Sequence, residues 1–209
     1  MAGEADSTKE RILSAVEKRV LGDGYARLSV DDLTASMGMS KKTFYKVFES
    51  KEDMIRQLMD RMMGEVGGTI DKILTARQGF IEKMHALMAY LGTLSQRVDI
   101  LLAKDVHRQM PELWERIEEF RRRKIHDNLS RLIVQGVQEG YIRQDVNQRI
   151  FVLAYAAAIQ AVIRPSVLSE ESFSASEAMR EIVRVFFIGI MTDEGRRVFE
   201  QLKNQALTQ

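Results

Sequence analysis

A short basic run near the N-terminus has the side chains best suited to contacting another molecule. Three lysines and no acidic residue occur between residues 37 and 48: Lys41, Lys42 and Lys46. The net charge of the whole chain is only +1, so this run is a local feature of a nearly neutral protein. Ammonium and hydroxyl groups bind phosphates and the edges of bases. A lysine cluster alone is more often a solvated helix face, so its interpretation depends on the elements that present it.

Few residues have the types and spacing of a catalytic site. The chain has no cysteine, and it contains no nucleophile elbow, phosphate-binding loop or zinc signature. Glu82-x-x-His85 matches one element of the di-iron sites of helical bundles. Such a site needs a second Glu-x-x-His element, which His107 and His126 do not provide. We therefore predict a protein that is not an enzyme and has no metal or cofactor, with a helical-bundle metalloenzyme as a remote alternative.

The N-terminal residues predict four helices that would position the basic run. Each predicted helix is preceded by a serine suited to cap it: Ser7, Ser29, Ser40 and Ser50. The first three helices are predicted over residues 8–21, 30–37 and 41–48, and the fourth begins at Ser50. Gly22 and Gly24 end the first helix, and Gly38 lies in the tight turn between the second and the third.

The second and third helices, joined by a tight turn with a glycine, predict a helix-turn-helix, whose second helix enters the major groove of DNA. Apolar residues would hold these two helices at a fixed angle: Val30, Leu33, Met37, Met39, Phe44 and Phe48. The other face of the third helix would present short polar and cationic side chains to the groove: Ser40, Lys41, Lys42, Thr43, Tyr45 and Lys46. This arrangement favours DNA binding over a solvated face.

The remainder of the chain predicts an all-α fold. Only two prolines interrupt a sequence rich in helix-forming residues, and no period-2 strand pattern is present. Six longer helices are predicted over residues 79–95, 98–107, 111–139, 147–164, 175–191 and 194–205. The most apolar stretch, residues 150–163, is shorter than the roughly 18 residues of a membrane span. The polar N-terminus does not resemble a signal peptide, so no membrane partner and a cytoplasmic location are expected.

Residues 8–60 resemble the N-terminal domain of the TetR family of transcriptional regulators. The resemblance is carried by residues 28–33 (LSVDDL), 38–48 (GMSKKTFYKVF) and 50–52 (SKE), at the spacing of the family. It implies that Ser29 and Lys51 contact phosphates from helix N-termini, and that Tyr45 and Lys46 contact phosphates from the recognition helix. It also implies that residues 41–43 face base edges or nearby phosphates.

A few positions depart from the pattern of the family. Val47 stands where a histidine is often found, and Lys42 stands where a glycine is common. Thr34 replaces an alanine at the helix crossing, and Arg19 with Val20 replaces an apolar–aromatic pair. Because Lys42 adds a long cationic side chain to the recognition helix, the operator sequences of relatives do not predict the operator of this protein.

By the same resemblance, the last long helices pair across a dimer axis. A helix that is apolar on nearly every side must be buried on all sides, and residues 182–190 have this composition. Small residues within 150–163 would permit close helix approach. The residues predicted at the dimer interface are Ala154, Ala157, Ala158, Ala161, Ile182, Val185, Phe186 and Gly189. Burial of these helices inside one subunit is the alternative.

The resemblance further implies a pocket for a small apolar ligand in the helical region. Twelve methionines would supply adaptable apolar surface, although a methionine-rich helical interior is more often plain core. The candidate ligand-binding residues are Met84, Met88, Leu101, Leu102, Met110, Trp114, Tyr155 and Ile159.

Together these features predict two domains, a helix-turn-helix DNA-binding domain over residues 1–50 and a larger effector-binding and dimerisation domain over residues 51–209. The predicted function is a transcriptional regulator, a repressor that binds a palindromic double-stranded operator as a homodimer and is released by a small apolar ligand. A DNA-binding helical protein without an effector is the alternative.

Overall fold

The architecture is all-α, as predicted, in a computed structural model that describes the backbone of residues 2–97 and 100–206. Side chains are described for residues 6–21, 24–94 and 102–201. The helices of these segments are α1 (Ala2–Asp23), α2 (Val30–Ser36), α3 (Lys41–Phe44), α4 (Lys51–Thr75), α5 (Phe80–Arg97), α6 (Ile100–Gln109), α7 (Pro111–Gln138), α8 (Gln148–Val162), α9 (Pro165–Leu168), α10 (Ala175–Ile190) and α11 (Asp193–Ala206). An isolated antiparallel bridge joins Ile142 to Met191.

The chain forms two compact units. The N-terminal unit comprises Met1–Glu65 with Arg97–Ile117, and the C-terminal unit comprises Val66–Gln96 with Glu118–Gln209. The N-terminal unit therefore contains α1, α2, α3 and the part of α4 up to Glu65. It also contains α6 and the start of α7. The boundary predicted at residue 50 concerns functional domains and stays a prediction.

The core of the N-terminal unit is built from one apolar face of each of its helices. In α1 this face has the helical spacing expected from the sequence and includes Ile12, Val16 and Val20, none of which is solvent-accessible. The same core contains buried residues of α3, α4, α6 and the segment that follows α3: Phe44, Phe48, Met54, Ile55, Leu58, Leu102 and Val106. The predicted helix-turn-helix is therefore fixed on a packed base.

The core of the C-terminal unit joins α5, α7, α8, α10 and α11. Its buried members include Phe80, Met84, Leu132, Phe151, Tyr155, Phe187 and Phe199. The long helices α4 and α7 approach closely within this unit at Gly67. A methyl group at Gly67 would lie 3.1 Å from Cε of Lys124, whose Nζ pairs with Asp71 at 2.8 Å.

Most predicted helix ends are confirmed, because they depend on local chemistry. Ser174 and Glu177 form a reciprocal capping box at the start of α10. Pro111 is the first residue of α7, and Gly140, with φ +79°, follows its end. The prediction that Ser7 starts the first helix is wrong. The helix begins at Ala2, and Gly3 is the one residue of 2–6 that strongly disfavours a helix, so it does not stop the helix from extending past Ser7.

Candidate nucleic-acid interface

The first helix of the motif, α2, is capped as the sequence predicts. The Ser29 hydroxyl accepts hydrogen bonds from the backbone N–H groups of Asp31 (3.1 Å) and Asp32 (3.3 Å). Leu33 and Thr34 are buried, and the Thr34 hydroxyl donates to the carbonyl of Val30 at 2.8 Å. The Ser29 side chain itself is half-buried, so it lies at the margin of the solvent-exposed surface.

The turn between α2 and α3 depends on Gly38. Its φ of +63° is a left-handed conformation that costs an L-residue with a side chain about 1–2 kcal/mol. The turn directs the N–H of Met39 to the carbonyl of Thr34 at 3.0 Å. Ser40 follows immediately and caps α3, its hydroxyl accepting from the N–H of Thr43 at 3.1 Å.

The third helix is shorter than the predicted 41–48. Regular α-helix ends at Phe44, and Tyr45 and Lys46 lie in the turn that follows. The N–H of Val47 bonds to the carbonyl of Phe44 at 3.0 Å, an i→i+3 bond that tightens the end of the helix. Tyr45 and Lys46 nevertheless follow the last helical residue, Phe44, directly in the chain.

Residues 40–46 form one segment in which most side chains are exposed, while Phe44 points into the core and packs on Phe48. Phe44 and Phe48 are buried, with ring centroids 5.4 Å apart. Thr43 is half-buried, and the other side chains of the segment are exposed: Ser40, Lys41, Lys42, Tyr45 and Lys46. The structure thus brings together six of the eight residues predicted to contact DNA.

The positive charges of this segment are not equivalent. Lys41 Nζ lies 2.6 Å from the Asp31 carboxylate, in an ion pair exposed to solvent. The hydrogen bond and the charge of Asp31 raise the pKa of Lys41. Lys42 and Lys46 make no ion pair with any residue that the structure describes. These two lysines therefore carry the uncompensated charge of the segment.

Lys51, another predicted DNA contact, lies against an aromatic ring. Its Nζ is 4.1 Å from the centroid of Tyr25, a cation–π geometry. Burial lowers the pKa of Lys51, and the nearby carboxylate of Glu52 acts in the opposite direction. The Tyr25 hydroxyl donates to Glu52 at 2.9 Å, while burial raises the pKa of Tyr25. Lys51 is thus held at the start of α4 by its neighbours.

Three polar contacts that hold the N-terminal unit together were missed by the sequence analysis. Asp105 of α6 accepts a hydrogen bond from the backbone N–H of Ala26, at 2.8 Å, in the loop before α2. Arg61 of α4 pairs with Glu17 at 2.6 Å and Glu10 at 3.1 Å, both in α1. The partners are 44 to 79 residues apart in the chain, so no local pattern signals them.

The predicted ligand-binding residues lie in two different cores. Met84, Tyr155 and Ile159 are buried in the core of the C-terminal unit, and Met88 is partly buried against it. Three others belong to the core of the N-terminal unit: Leu102, Met110 and Trp114. The side chain of Leu101 is outside the described residues. The structure therefore does not bring all the candidates into one cluster.

The predicted dimer residues occupy the outer faces of α8 and α10, which pack against each other through Phe151 and Phe187. Five of the eight are exposed: Ala154, Ala157, Ala161, Val185 and Gly189. Ala158, Ile182 and Phe186 are half-buried. Two further apolar side chains that the sequence analysis did not name share this exposure, Ile150 at 64% and Leu153 at 59%.

His85, the histidine of the Glu-x-x-His pattern, packs on an aromatic residue. Its ring stacks on Phe199, with the centroids 4.6 Å apart, and its Nε2 lies 3.1 Å from the Phe199 carbonyl oxygen. Among the side chains described, no three of the types His, Cys, Asp and Glu are grouped to hold a metal ion. In the same part of the chain, no helix is both long and apolar enough to cross a membrane.

The fold and the exposed segment define a helix-turn-helix transcriptional regulator. Residues 12–58 match the sequence profile of the bacterial regulatory proteins of the tetR family. The uncharacterized HTH-type transcriptional regulator YvaF of Bacillus subtilis (strain 168) is 24% identical over 187 residues, which cover 88% of this chain and 96% of that protein. Residues 12–58 therefore form a DNA-binding domain of the TetR family.

Solved structures show that the likeness in fold extends beyond the matched residues. A TetR-family transcriptional regulator from Marinobacter aquaeolei VT8 superposes with a TM-score of 0.71 at 16% identity, covering 95% of this chain and 98% of its own. A TetR-family regulator from Agrobacterium tumefaciens gives a TM-score of 0.65 at 19% identity, covering 90% and 100%. At these identities the likeness concerns the fold alone.

Proposed function

We propose that the protein is a transcriptional repressor that binds a palindromic DNA operator as a homodimer in the cytoplasm. The observation that carries the proposal is the exposed segment of residues 40–46, which follows the Gly38 turn and contains Lys42 and Lys46 without ion-pair partners in the described structure. A short helix and the turn after it, with two unpaired lysines and an exposed tyrosine hydroxyl, fit the major groove, where they can contact bases and phosphates.

The predicted contacts divide by chemistry. Lys41, Lys42 and Thr43 face base edges or nearby phosphates, and Ser40 accompanies them at the start of α3. Four residues bind the phosphate backbone and set the register of the motif: Ser29, Tyr45, Lys46 and Lys51. Phosphate contacts fix position, and base contacts supply the sequence preference.

Replacing Lys42 by alanine is expected to weaken operator binding without unfolding the protein. Lys42 is exposed and unpaired, so the loss falls on DNA binding. Tyr45→Phe, which removes only the hydroxyl of a side chain that is 55% exposed, is expected to weaken binding as well. If Lys42 binds a phosphate, the log–log salt dependence of affinity becomes shallower by about one unit for each copy in contact. Fluorescence anisotropy over a salt series measures both quantities.

A matched control for Lys42→Ala is Lys72→Ala, which removes an exposed lysine from the part of α4 in the C-terminal unit. The control is expected to keep the affinity and the salt dependence of the original protein. Unchanged affinity in both Lys42→Ala and Tyr45→Phe would remove these residues from the DNA-contacting surface.

Dimerisation through α8 and α10 is part of the proposal. Ile150, Leu153 and Val185 leave more than half of their side chains in solvent, beside small residues such as Ala157 that allow a second helix to approach. Exposed large apolar side chains on neighbouring helices of one chain favour a partner surface. A two-fold axis matches the symmetry of a palindromic operator.

An apolar effector bound in the C-terminal unit completes the proposal. Tyr155 supports this part, because the side chain is buried and no hydrogen bond to its hydroxyl is found among the described residues. Burial raises the pKa of Tyr155, so the hydroxyl stays protonated and able to donate. Met84, Met88 and Ile159 of the same core would adapt to an apolar ligand. A regulator without an effector is the alternative.

An effector that releases the protein from DNA is expected to bind less tightly when operator is present. Linkage requires each ligand to change the affinity of the other by the same factor. Moving the population from about 1:99 to 99:1 takes roughly a 10⁴-fold preference for the non-binding state. Trp114, the only tryptophan, packs in the N-terminal unit and not among the proposed ligand residues, so isothermal titration calorimetry measures the ligand affinity with and without operator. Compounds that raise the melting temperature in a thermal-shift screen are the ones to titrate.

Equal ligand affinities with and without operator would show that the compound is not an inducer. A screen of apolar compounds in which none stabilises the protein would favour the regulator without an effector, and would leave the DNA-binding part of the proposal in place.

A further inference from the structure

A cleft beside α2 contains two arginines that the fold itself does not use. The cleft, of about 460 Å³, lies where the end of α1, the following loop and α2 meet in the N-terminal unit. Arg19 of α1 is half-buried, and Arg27 of the loop is exposed. Neither guanidinium makes a hydrogen bond or an ion pair with a residue that the structure describes. Their donors are therefore available to an external acceptor.

Other arginines of the same unit have carboxylate partners. Arg61 pairs with Glu17 at 2.6 Å, and Arg116 pairs with Asp60 at 2.6 Å. These pairs connect helices within the unit, so their arginines have a structural use. Arg19 and Arg27 differ from them, because the side chains line an open cleft and meet no carboxylate within ion-pair distance in the described structure.

One acidic side chain, Asp32, also lines the cleft. It is exposed, and it forms no ion pair with Arg19 or Arg27. Among the lining side chains that the structure describes, two arginines and one aspartate give a net positive charge. An anion is therefore favoured there, and Asp32 at the α2 side of the cleft directs it toward the guanidinium groups.

The position of the cleft indicates which anion it binds. Ser29 and Ala35 line the same cleft, and Ser29 is one of the phosphate contacts in the proposed function. The cleft is thus continuous with the surface proposed to face DNA. The duplex carries one negative charge for about every 1.7 Å of its axis. A protein surface that extends from Ser29 along the sugar–phosphate backbone of the DNA therefore meets further phosphates.

We propose that Arg19 and Arg27 bind a phosphate of the DNA backbone beside the one contacted by Ser29. The inference rests on the proposed function and extends its contact surface from α3 back to the end of α1. The planar guanidinium binds phosphate through two parallel hydrogen bonds, which fixes orientation as well as position. These contacts position the motif on the duplex and carry no base preference.

The test compares Arg19→Gln, Arg27→Gln and the double variant with the unaltered protein. The probes are a palindromic duplex selected by the protein from a random pool and a scrambled duplex of equal length. Each single variant is expected to bind the selected duplex about tenfold more weakly at low salt. The salt dependence is expected to become shallower by about one unit for each lost contact, and the scrambled duplex to be weakened by the same factor.

Arg131→Gln, which removes an exposed arginine of α7 in the C-terminal unit, is the matched control. Arg19→Lys keeps the charge and is expected to retain the salt dependence while losing part of the affinity. Circular dichroism shows whether each variant is folded. If substitution of the half-buried Arg19 unfolds the protein, the affinity and salt dependence of Arg27→Gln alone test the inference.

The outcomes separate the inference from the proposed function. If the unaltered protein selects no duplex, the proposed function fails and the inference fails with it. If the unaltered protein binds its duplex, and Arg27→Gln and the double variant match Arg131→Gln in affinity and salt dependence, the inference is overturned and the proposed function stands. Weakened binding of the selected duplex alone, with the scrambled duplex unaffected, would assign the arginines to base recognition and also overturn it.

Discussion

The Ala157→Glu variant is expected to be a folded monomer that has lost operator binding. Ala157 is exposed on α8 of the isolated chain, so glutamate is accommodated in the monomer. In the proposed dimer the same carboxylate would be buried without a partner, at a cost of about 3 kcal/mol or more. This corresponds to at least about 100-fold weaker dimerisation. Sedimentation equilibrium measures the dissociation constant, and anisotropy measures the accompanying loss of affinity for a two-half-site duplex.

Ala89→Glu is the matched control, because Ala89 is an exposed alanine of α5 in the same unit. It is expected to leave the dimer and its DNA affinity unchanged. Leu153→Glu, at a second exposed position of α8, should reproduce the effect of Ala157→Glu. A stable dimer in both α8 variants would move the interface to another surface of the protein.

The Phe44→Ala variant is expected to destabilise the N-terminal unit severely. Phe44 is fully buried beneath the exposed segment and packs against Phe48. Removing a buried phenylalanine ring costs about 3–5 kcal/mol, a large part of the 5–15 kcal/mol that stabilises a typical protein. We expect operator binding to be lost together with the fixed angle of the two helices. Urea unfolding followed by circular dichroism, at one protein concentration, measures the change in the free energy of unfolding.

Tyr45→Ala provides the comparison at the neighbouring position. Tyr45 is 55% exposed, so truncating it is expected to change the free energy of unfolding by less than about 0.5 kcal/mol. Its effect should instead fall on DNA affinity. A loss of less than about 1 kcal/mol in Phe44→Ala would contradict the role of this ring as the base of the motif.

The sequence predicted the features that arise within a few residues of the chain. Ser29 and Ser40 cap their helices because a serine with an extended backbone at a helix start brings its oxygen within reach of the N–H two or three residues later. The turn at Gly38 was predictable for the same reason, because it depends on the residue type at one position. The burial of Ile12, Val16 and Val20 on one face of α1 is local as well, since the burial of every third or fourth residue follows from the helical period.

Features that depend on distant parts of the chain were not predictable in this way. The length of α3 was overestimated, because the apolar pattern through Phe48 continues past the point where the hydrogen bonds tighten. The bond between Asp105 and Ala26 joins residues 79 positions apart, and nothing near either residue indicates it. Arg19 and Arg27 were not predicted as a pair, because the helix end and loop between them decide that their side chains share a cleft.

If the proposed dimer forms through the outer face of α8 and α10, regulation depends on the amount of protein. In the isolated chain Ile150, Leu153 and Val185 are uncovered, so dimer formation obeys mass action. If only the dimer occupies an operator, then below the dimer dissociation constant the occupancy rises with the square of the protomer concentration. A twofold fall in the concentration of the chain would then reduce the DNA-binding species about fourfold, and the regulated promoter would respond more steeply than the protein level itself changes.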